Sequence, residues 1–287
     1  MKEYEYFKKY TTIANIIKWG LAILIGVIFL VFEIGEIFTT EDYSMIANAS
    51  DFLRFFFIVV AVLLLTQIIA NVIMAKKYDS TVISLLHDRC DPRLFSDAQL
   101  QFIQSKTPAA SNLLYRSNYA LGLWLCGEYE KASKLYNEII YSKQYELLNP
   151  MLQLLILANK LSLELDTYGN VTEVKSMMPR VYMLFGRVLK KSKGYDTIKE
   201  QVENLAADIE LAEGRVPADY ESRYISILEA ANNNFKKASC KYPLMVYYRT
   251  VGNTEKYLSL ANEIMENYSK LFYASKAKQM LTADGLI

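Results

Sequence analysis

The sequence predicts an all-α protein in which two transmembrane helices precede an α-solenoid of helical hairpins. Three observations support this fold class. Two long apolar runs occupy the first quarter of the chain, apolar residues then recur at helical spacing, and Gly and Pro are sparse, at 11 and 6 of 287 residues. An all-β fold needs many tight turns rich in Gly and Pro, so their scarcity argues against one.

The two apolar runs predict a membrane hairpin within residues 1–79. We place the spans at about 13–38 and 52–75, because each run is long enough to cross a hydrocarbon core of about 30 Å at about 1.5 Å per residue. Lys and Arg flank the runs, whereas the loop 39–51 has neither. By the positive-inside rule the chain is expected to be an integral membrane protein with both termini and its C-terminal domain in the cytoplasm. The alternative is a pair of buried helices in a soluble core.

Small and polar residues within the two runs predict helix–helix contacts in the membrane. They are Ala22, Gly26, Thr66, Gln67, Ala70 and Asn71. Residues four apart share one helix face, and small residues at this spacing let two backbones approach closely. We expect these contacts within the hairpin or in a homo-oligomer formed through the transmembrane helices. A path for an ion or substrate is the alternative.

Charge and motif content exclude several classes of function. With 32 Lys and Arg against 31 Asp and Glu, the chain lacks the charge of a general nucleic-acid binder. His87 is its single histidine and forms an H-x-x-C pair with Cys90, but a structural zinc site needs four ligands, so no metal and no cofactor are expected. Phosphate-binding and nucleophile motifs are absent from the sequence. We therefore expect no catalytic residue and no enzyme activity.

Residues 80–287 predict a cytosolic domain of repeated helical hairpins. Four glycines, at spacings of 42, 45 and 38 residues, mark turns between amphipathic helices: Gly127, Gly169, Gly214 and Gly252. On either side of these turns, small and apolar residues lie at core spacing, for example Ala120 before the first turn and Ala132, Tyr136 and Ile139 after it. One hairpin cannot bury its own apolar face, so neighbouring hairpins are expected to stack.

The first of these hairpins resembles a tetratricopeptide repeat (TPR). The matching residues are Ala120, Gly127, Tyr129, Ala132 and Tyr136. Since the spacing of the turns exceeds the family's period of about 34 and drifts, we interpret the domain as a degenerate, TPR-like array.

The resemblance implies a concave face, lined by the first helix of each repeat, that holds a peptide or a partner helix. Mapped by distance from the turn glycines, this face contains Ser117, Asn118, Leu121, Trp124, Asn159, Lys160, Leu163 and Asp166. Asn118 matches a frequent TPR asparagine that bonds to the backbone of a bound peptide. Trp124 lies either on this face or in the core.

A basic cluster further along the chain is a second candidate contact. It consists of Arg187, Lys190, Lys191 and Lys193. Such a cluster can bind anionic lipid headgroups or an acidic partner segment. The alternative is a helix end, where cations stabilise the negative end of the helix dipole.

Together these patterns predict a membrane-anchored cytosolic scaffold or adaptor that binds a protein or peptide partner through its helical array. Membrane lipid would be its other partner, and no nucleic acid is expected. The alternative function is an accessory subunit of a membrane transporter, secretion or immunity complex that contacts its partner through the transmembrane hairpin.

Overall fold

The computed structural model describes residues 45–104 and 109–287, together with nine single positions nearer the N-terminus. These are Lys9, Thr12, Ile16, Trp19, Gly20, Ile23, Leu24, Gly26 and Val27. All regular secondary structure in the described part of the chain is helical, so the predicted all-α class is confirmed. The chain divides into two compact units, residues 1–83 and 84–287. The predicted domain division at 79/80 stays a prediction.

The described part of the first unit includes a long helix. Helix α1 spans Met45–Tyr78, and a π-helical segment follows it at Asp79–Ile83. Gln67 and Asn71 lie one turn apart on α1, and Gln67 Nε2 donates a hydrogen bond of 2.7 Å to Asn71 Oδ1. These two side chains therefore satisfy each other within the helix.

The predicted membrane location is wrong. Among the residues that the structure describes, no helix combines the length and the apolar content that a bilayer crossing needs. The run that predicted the second span contains the polar residues Gln67 and Asn71. Most of the predicted first span, 13–38, lies outside the described residues.

The second unit is a series of helices joined by short turns. Their bounds are Ser84–His87 (α2), Pro92–Gln104 (α3), Ala109–Leu125 (α4), Tyr129–Ile140 (α5), Lys143–Glu146 (α6), Pro150–Leu163 (α7), the π-helical segment Glu164–Tyr168, Val171–Gly186 (α8), Tyr195–Ala212 (α9), Tyr220–Glu229 (α10), Asn234–Thr250 (α11), Thr254–Asn267 (α12) and Phe272–Ala283 (α13). Several helices that follow each other in sequence pack against each other as hairpins, among them α3 with α4, α4 with α5 and α11 with α12.

Each of the four predicted turn glycines lies in the left-handed region of the backbone. At Gly127, for example, φ is +86°, a conformation that a residue with a Cβ adopts only with strain. The turn is closed by the amide of Glu128, which donates 2.9 Å to the carbonyl of Leu123, and by that of Gly127, which donates 2.8 Å to Trp124. This pattern of bonds satisfies the last carbonyls of α4 and ends the helix where the sequence predicted.

Helices from the two ends of the second unit also contact each other. The last helix, α13, packs against α4, and α2 packs against α11. Asn234 Nδ2 donates 2.8 Å to the carbonyl of Asp88, and the Lys270 ammonium pairs with the Asp91 carboxylate. The helices therefore enclose a common core instead of leaving the first and last hairpins apart.

Candidate functional site

Half of the predicted concave face lies inside the second unit. Ser117, Trp124 and Lys160 are each at most 4% exposed, and Leu163 is fully buried. The Trp124 ring packs on Phe272 of α13, with 5.8 Å between ring centroids, so of the two positions considered for this residue the core is the one observed. These four side chains therefore expose little or no surface to a partner at the predicted concave face.

The other predicted face residues keep part of their surface accessible. They are Asn118, Leu121, Asn159 and Asp166. The Asn159 Oδ1 atom accepts a hydrogen bond of 3.3 Å from Gln201 Nε2 on α9. That these residues bind a partner stays a prediction.

An open cleft of about 900 Å³ lies between α5, the end of α7 and the start of α8. We call it the acidic cleft, and its lining residues are Glu130, Ser133, Lys134, Asn137, Glu138, Tyr141, Lys160, Glu164, Tyr168, Asn170 and Glu173. Those from α5 recur three and four residues apart, so they share the helix face opposite the buried Ala132 and Tyr136. The cleft thus lies on the outward face of the hairpin that resembles a TPR.

A buried ion pair forms the floor of the acidic cleft. Lys160 Nζ lies 2.7 Å from Glu164 Oε1, and both side chains are less than a tenth exposed. The same ammonium lies 3.1 Å from Glu173 Oε1, and Ser133 Oγ donates 2.9 Å to Glu164 Oε1. With its charges compensated and its hydrogen bonds made, this floor is held in one arrangement.

The first turn of α8 fixes another wall of the cleft. Asn170 caps α8: its Oδ1 accepts from the Glu173 amide at 3.4 Å, and its Nδ2 donates 2.6 Å to Glu173 Oε2. These two bonds are reciprocal, in the manner of a capping box. Glu173 therefore projects from a helix start that is itself stabilised.

The charge of the acidic cleft is negative. Four carboxylates and two ammonium groups line it, a formal net charge of −2. Glu138 pairs with Arg116 at 2.8 Å, whereas Glu130 pairs with no described cation. At the rim, Tyr141 is 77% exposed and Tyr168 is 49% exposed. A cationic side chain in the cleft would meet both carboxylates and aromatic faces.

Sequence reasoning missed this cleft, although a signal for it exists. Lys160 is the one charged residue within the apolar stretch 150–163, so its burial requires a partner. The carboxylates that compensate it come from positions four and thirteen residues later, and only the fold brings the second of them close.

The basic cluster lies in the loop between α8 and α9. Arg187, Lys190, Lys191 and Lys193 are all exposed, and none forms an ion pair with a described carboxylate. Of the residues predicted to make helix contacts in a membrane, Gly26 and Asn71 are exposed, and Thr66, Gln67 and Ala70 are partly exposed. Ala22 lies outside the described residues.

Two carboxyl groups of the second unit lie among its helices, and each residue keeps part of its surface accessible. Asp208 on α9 accepts hydrogen bonds from the hydroxyls of Tyr220, at 2.6 Å, and Tyr224, at 2.8 Å. Burial raises the pKa of Asp208 to about 6 despite these donors. Burial, and then the charge of Asp208, raise the pKa of Asp166 well above its ordinary value. Both carboxyls therefore weaken the fold when they ionise.

The thiols are not activated. Cys90, Cys126 and Cys240 form no disulfide, and burial raises the pKa of each to about 11. His87 stacks on Phe235, with 6.1 Å between ring centroids. No three His, Cys, Asp or Glu side chains in the described ranges come together as a metal site would require.

Comparison with known proteins identifies no relative. No protein family matches the chain, and neither the curated proteins nor the solved structures include a significant match. Its function has to be argued from its own surfaces.

Proposed function

We propose that this chain is a non-catalytic scaffold whose TPR-like helical array binds a protein or peptide partner, and that the partner inserts a lysine- or arginine-bearing segment into the acidic cleft. The observation that carries the proposal is the cleft's construction. An open cleft of about 900 Å³ has a net charge of −2 and a floor fixed by the buried pair Lys160–Glu164. A rigid floor lowers the ordering cost of binding.

The shape and chemistry of the cleft favour a peptide segment. Its volume lies within the usual range of about 300–1,000 Å³ for binding sites, which accommodates a few side chains. Glu130 is available to pair with an incoming cation, and the exposed rings of Tyr141 and Tyr168 can stack on it. Lys134 is the lining cation that would oppose such a ligand.

The state of the cysteines supports a role without a chemical step. A thiol with a pKa near 11 is almost entirely protonated at neutral pH, and the thiolate is the reactive form.

Charge variants of the cleft test the proposal. The probe is a labelled decapeptide with four lysines among apolar residues, compared with the same peptide carrying glutamate at those positions. In fluorescence anisotropy with the full-length protein, Glu130→Lys should weaken binding of the lysine peptide about tenfold, equivalent to about 1.4 kcal/mol. Lys134→Glu should strengthen it. Both side chains are exposed, so neither change should disturb folding.

Glu229→Lys is the matched control. Glu229 is exposed and lies outside the cleft, and its replacement by Lys changes the net charge by the same amount. It should leave the affinity within about twofold. Equal weakening by Glu130→Lys and Glu229→Lys would reveal a non-specific effect of net charge and would refute the cleft as the binding site.

The alternative function, an accessory subunit acting through a membrane hairpin, required helices that the described residues do not contain.

A further inference from the structure

The loop between α8 and α9 presents a concentrated positive charge. Four cations fall within seven residues, namely Arg187, Lys190, Lys191 and Lys193. Their side chains are exposed, and in the described structure no carboxylate pairs with them. We call residues 182–193 the basic surface, because exposed residues at the end of α8 extend it.

A helix end does not explain this charge. Helix α8 ends at Gly186, and Arg187 is its C-cap residue. The helix dipole acts on charges within the last turn, so it favours a cation at Arg187. The three lysines lie beyond the helix, where the helix dipole does not offset their mutual repulsion.

The backbone of the basic surface is held in place. Val188 is buried, and its amide donates 3.0 Å to the carbonyl of Phe185. The Ser192 amide donates 2.9 Å to Leu189, and the Phe185 and Tyr195 rings stack across the loop at 5.5 Å. The cations therefore project from a fixed frame, which lowers the entropy lost when a ligand binds.

Exposed apolar side chains accompany the cations. Leu189 is 65% exposed, Met183 is 56% exposed and Tyr182 is 53% exposed. Tyr, Met and Arg are enriched in protein interaction surfaces, and Tyr182, Met183 and Arg187 are of these types. Because the surface runs from the end of a helix along a loop, it suits an elongated ligand.

We propose that the basic surface binds a second partner, an acidic protein segment with apolar residues among its carboxylates. This partner is distinct from the one proposed for the acidic cleft. Helix α8 connects the two sites: Glu173 lines the cleft in its first turn, and Arg187 follows its last residue. A helix of 16 residues is about 24 Å long. Both sites can be occupied together, so the chain bridges a basic segment and an acidic one.

The test measures binding of a labelled peptide in which glutamate alternates with leucine, by fluorescence anisotropy with the full-length protein. The double variant Lys190→Glu/Lys191→Glu should weaken binding at least tenfold, and Leu189→Ser at least threefold. The matched control, Lys143→Glu/Lys278→Glu, makes the same change in net charge at two exposed lysines elsewhere and should stay within about twofold.

The proposal would be overturned if the acidic peptide did not bind, or if both double variants weakened its binding equally. It would also be overturned if vesicles with anionic headgroups bound in place of the peptide and their binding was lost in Lys190→Glu/Lys191→Glu. The last would assign the surface to lipid. Binding of the lysine peptide should be unchanged in Lys190→Glu/Lys191→Glu, which verifies that the variant is folded. Because the two peptides are measured separately, failure at one site is distinguishable from failure at the other.

Discussion

The carboxyl of Asp208 should make the stability of the protein fall as the pH rises through the acidic range. The group has a pKa of about 6 in the folded protein against an ordinary value of 3.8. The folded state therefore binds the proton more tightly than the unfolded state does. Below about pH 4 the group is protonated in both states, and above about pH 6 it is ionised in both.

The size of the effect follows from these two pKa values. At about 1.4 kcal/mol for each tenfold change in the ionisation constant, a rise from 3.8 to about 6 corresponds to about 3 kcal/mol. This stabilisation is present below pH 4, is lost between pH 4 and 6, and is absent above. In Asp208→Asn this loss of stability with rising pH should be missing, because the amide does not ionise. The amide oxygen can still accept hydrogen bonds from Tyr220 and Tyr224, which both approach Oδ1.

The assay is urea unfolding of the full-length protein, followed by far-UV circular dichroism between pH 4 and 8. Other carboxyls, such as that of Asp284 beside Arg249, have lowered pKa values and act in the opposite direction, so the difference between wild type and Asp208→Asn is the quantity to plot. The wild type should lose about 3 kcal/mol relative to the variant across this range. A difference that stays constant with pH would refute the reasoning.

Two further changes test the packing around the cleft and between helices. Lys160→Met should reduce the free energy of unfolding by about 3–5 kcal/mol, because it leaves a buried carboxylate without its cation. Lys131→Met removes the cation of an exposed ion pair and should leave the free energy of unfolding unchanged. Equal losses in the two variants would contradict a larger contribution from the buried pair. Gly122→Ala should destabilise by up to about 2 kcal/mol, since a Cβ there would lie 2.9 Å from Ser96 Cβ. A Cβ at Gly186 meets no neighbour, so Gly186→Ala should be neutral or stabilising in the same urea unfolding assay. If Gly186→Ala destabilised more than Gly122→Ala, the close contact of α3 and α4 would be contradicted.

Local signals were sufficient to predict the hairpins. Gly127 requires a left-handed conformation, and Ala132, Tyr136 and Ile139 recur at helical spacing, so both the turn and the buried side of α5 follow from neighbouring residues. The same holds after Gly252, where Tyr257 and Ala261 lie four residues apart and are both buried. In these segments local preference and tertiary packing agree.

Contacts between distant parts of the chain were not predictable from these signals. Trp124 was assigned to the concave face or the core, and the choice depends on Phe272, which lies 148 positions later in the sequence. The acidic cleft likewise depends on how α5, α7 and α8 meet. For α1, a run of apolar composition predicted a membrane span, whereas among the described residues no helix is long and apolar enough for one.

The most direct test of the scaffold proposal locates the bound segment. A photo-crosslinking amino acid replaces either Tyr141, at the rim of the acidic cleft, or Leu147, which is 85% exposed and outside it. Each protein is irradiated with the labelled lysine peptide, and the crosslinked fraction is measured. We predict strong labelling at position 141, its loss when Glu130→Lys is added, and little labelling at position 147. Equal labelling at both positions, or labelling at 141 that persists with Glu130→Lys, would contradict binding in the acidic cleft.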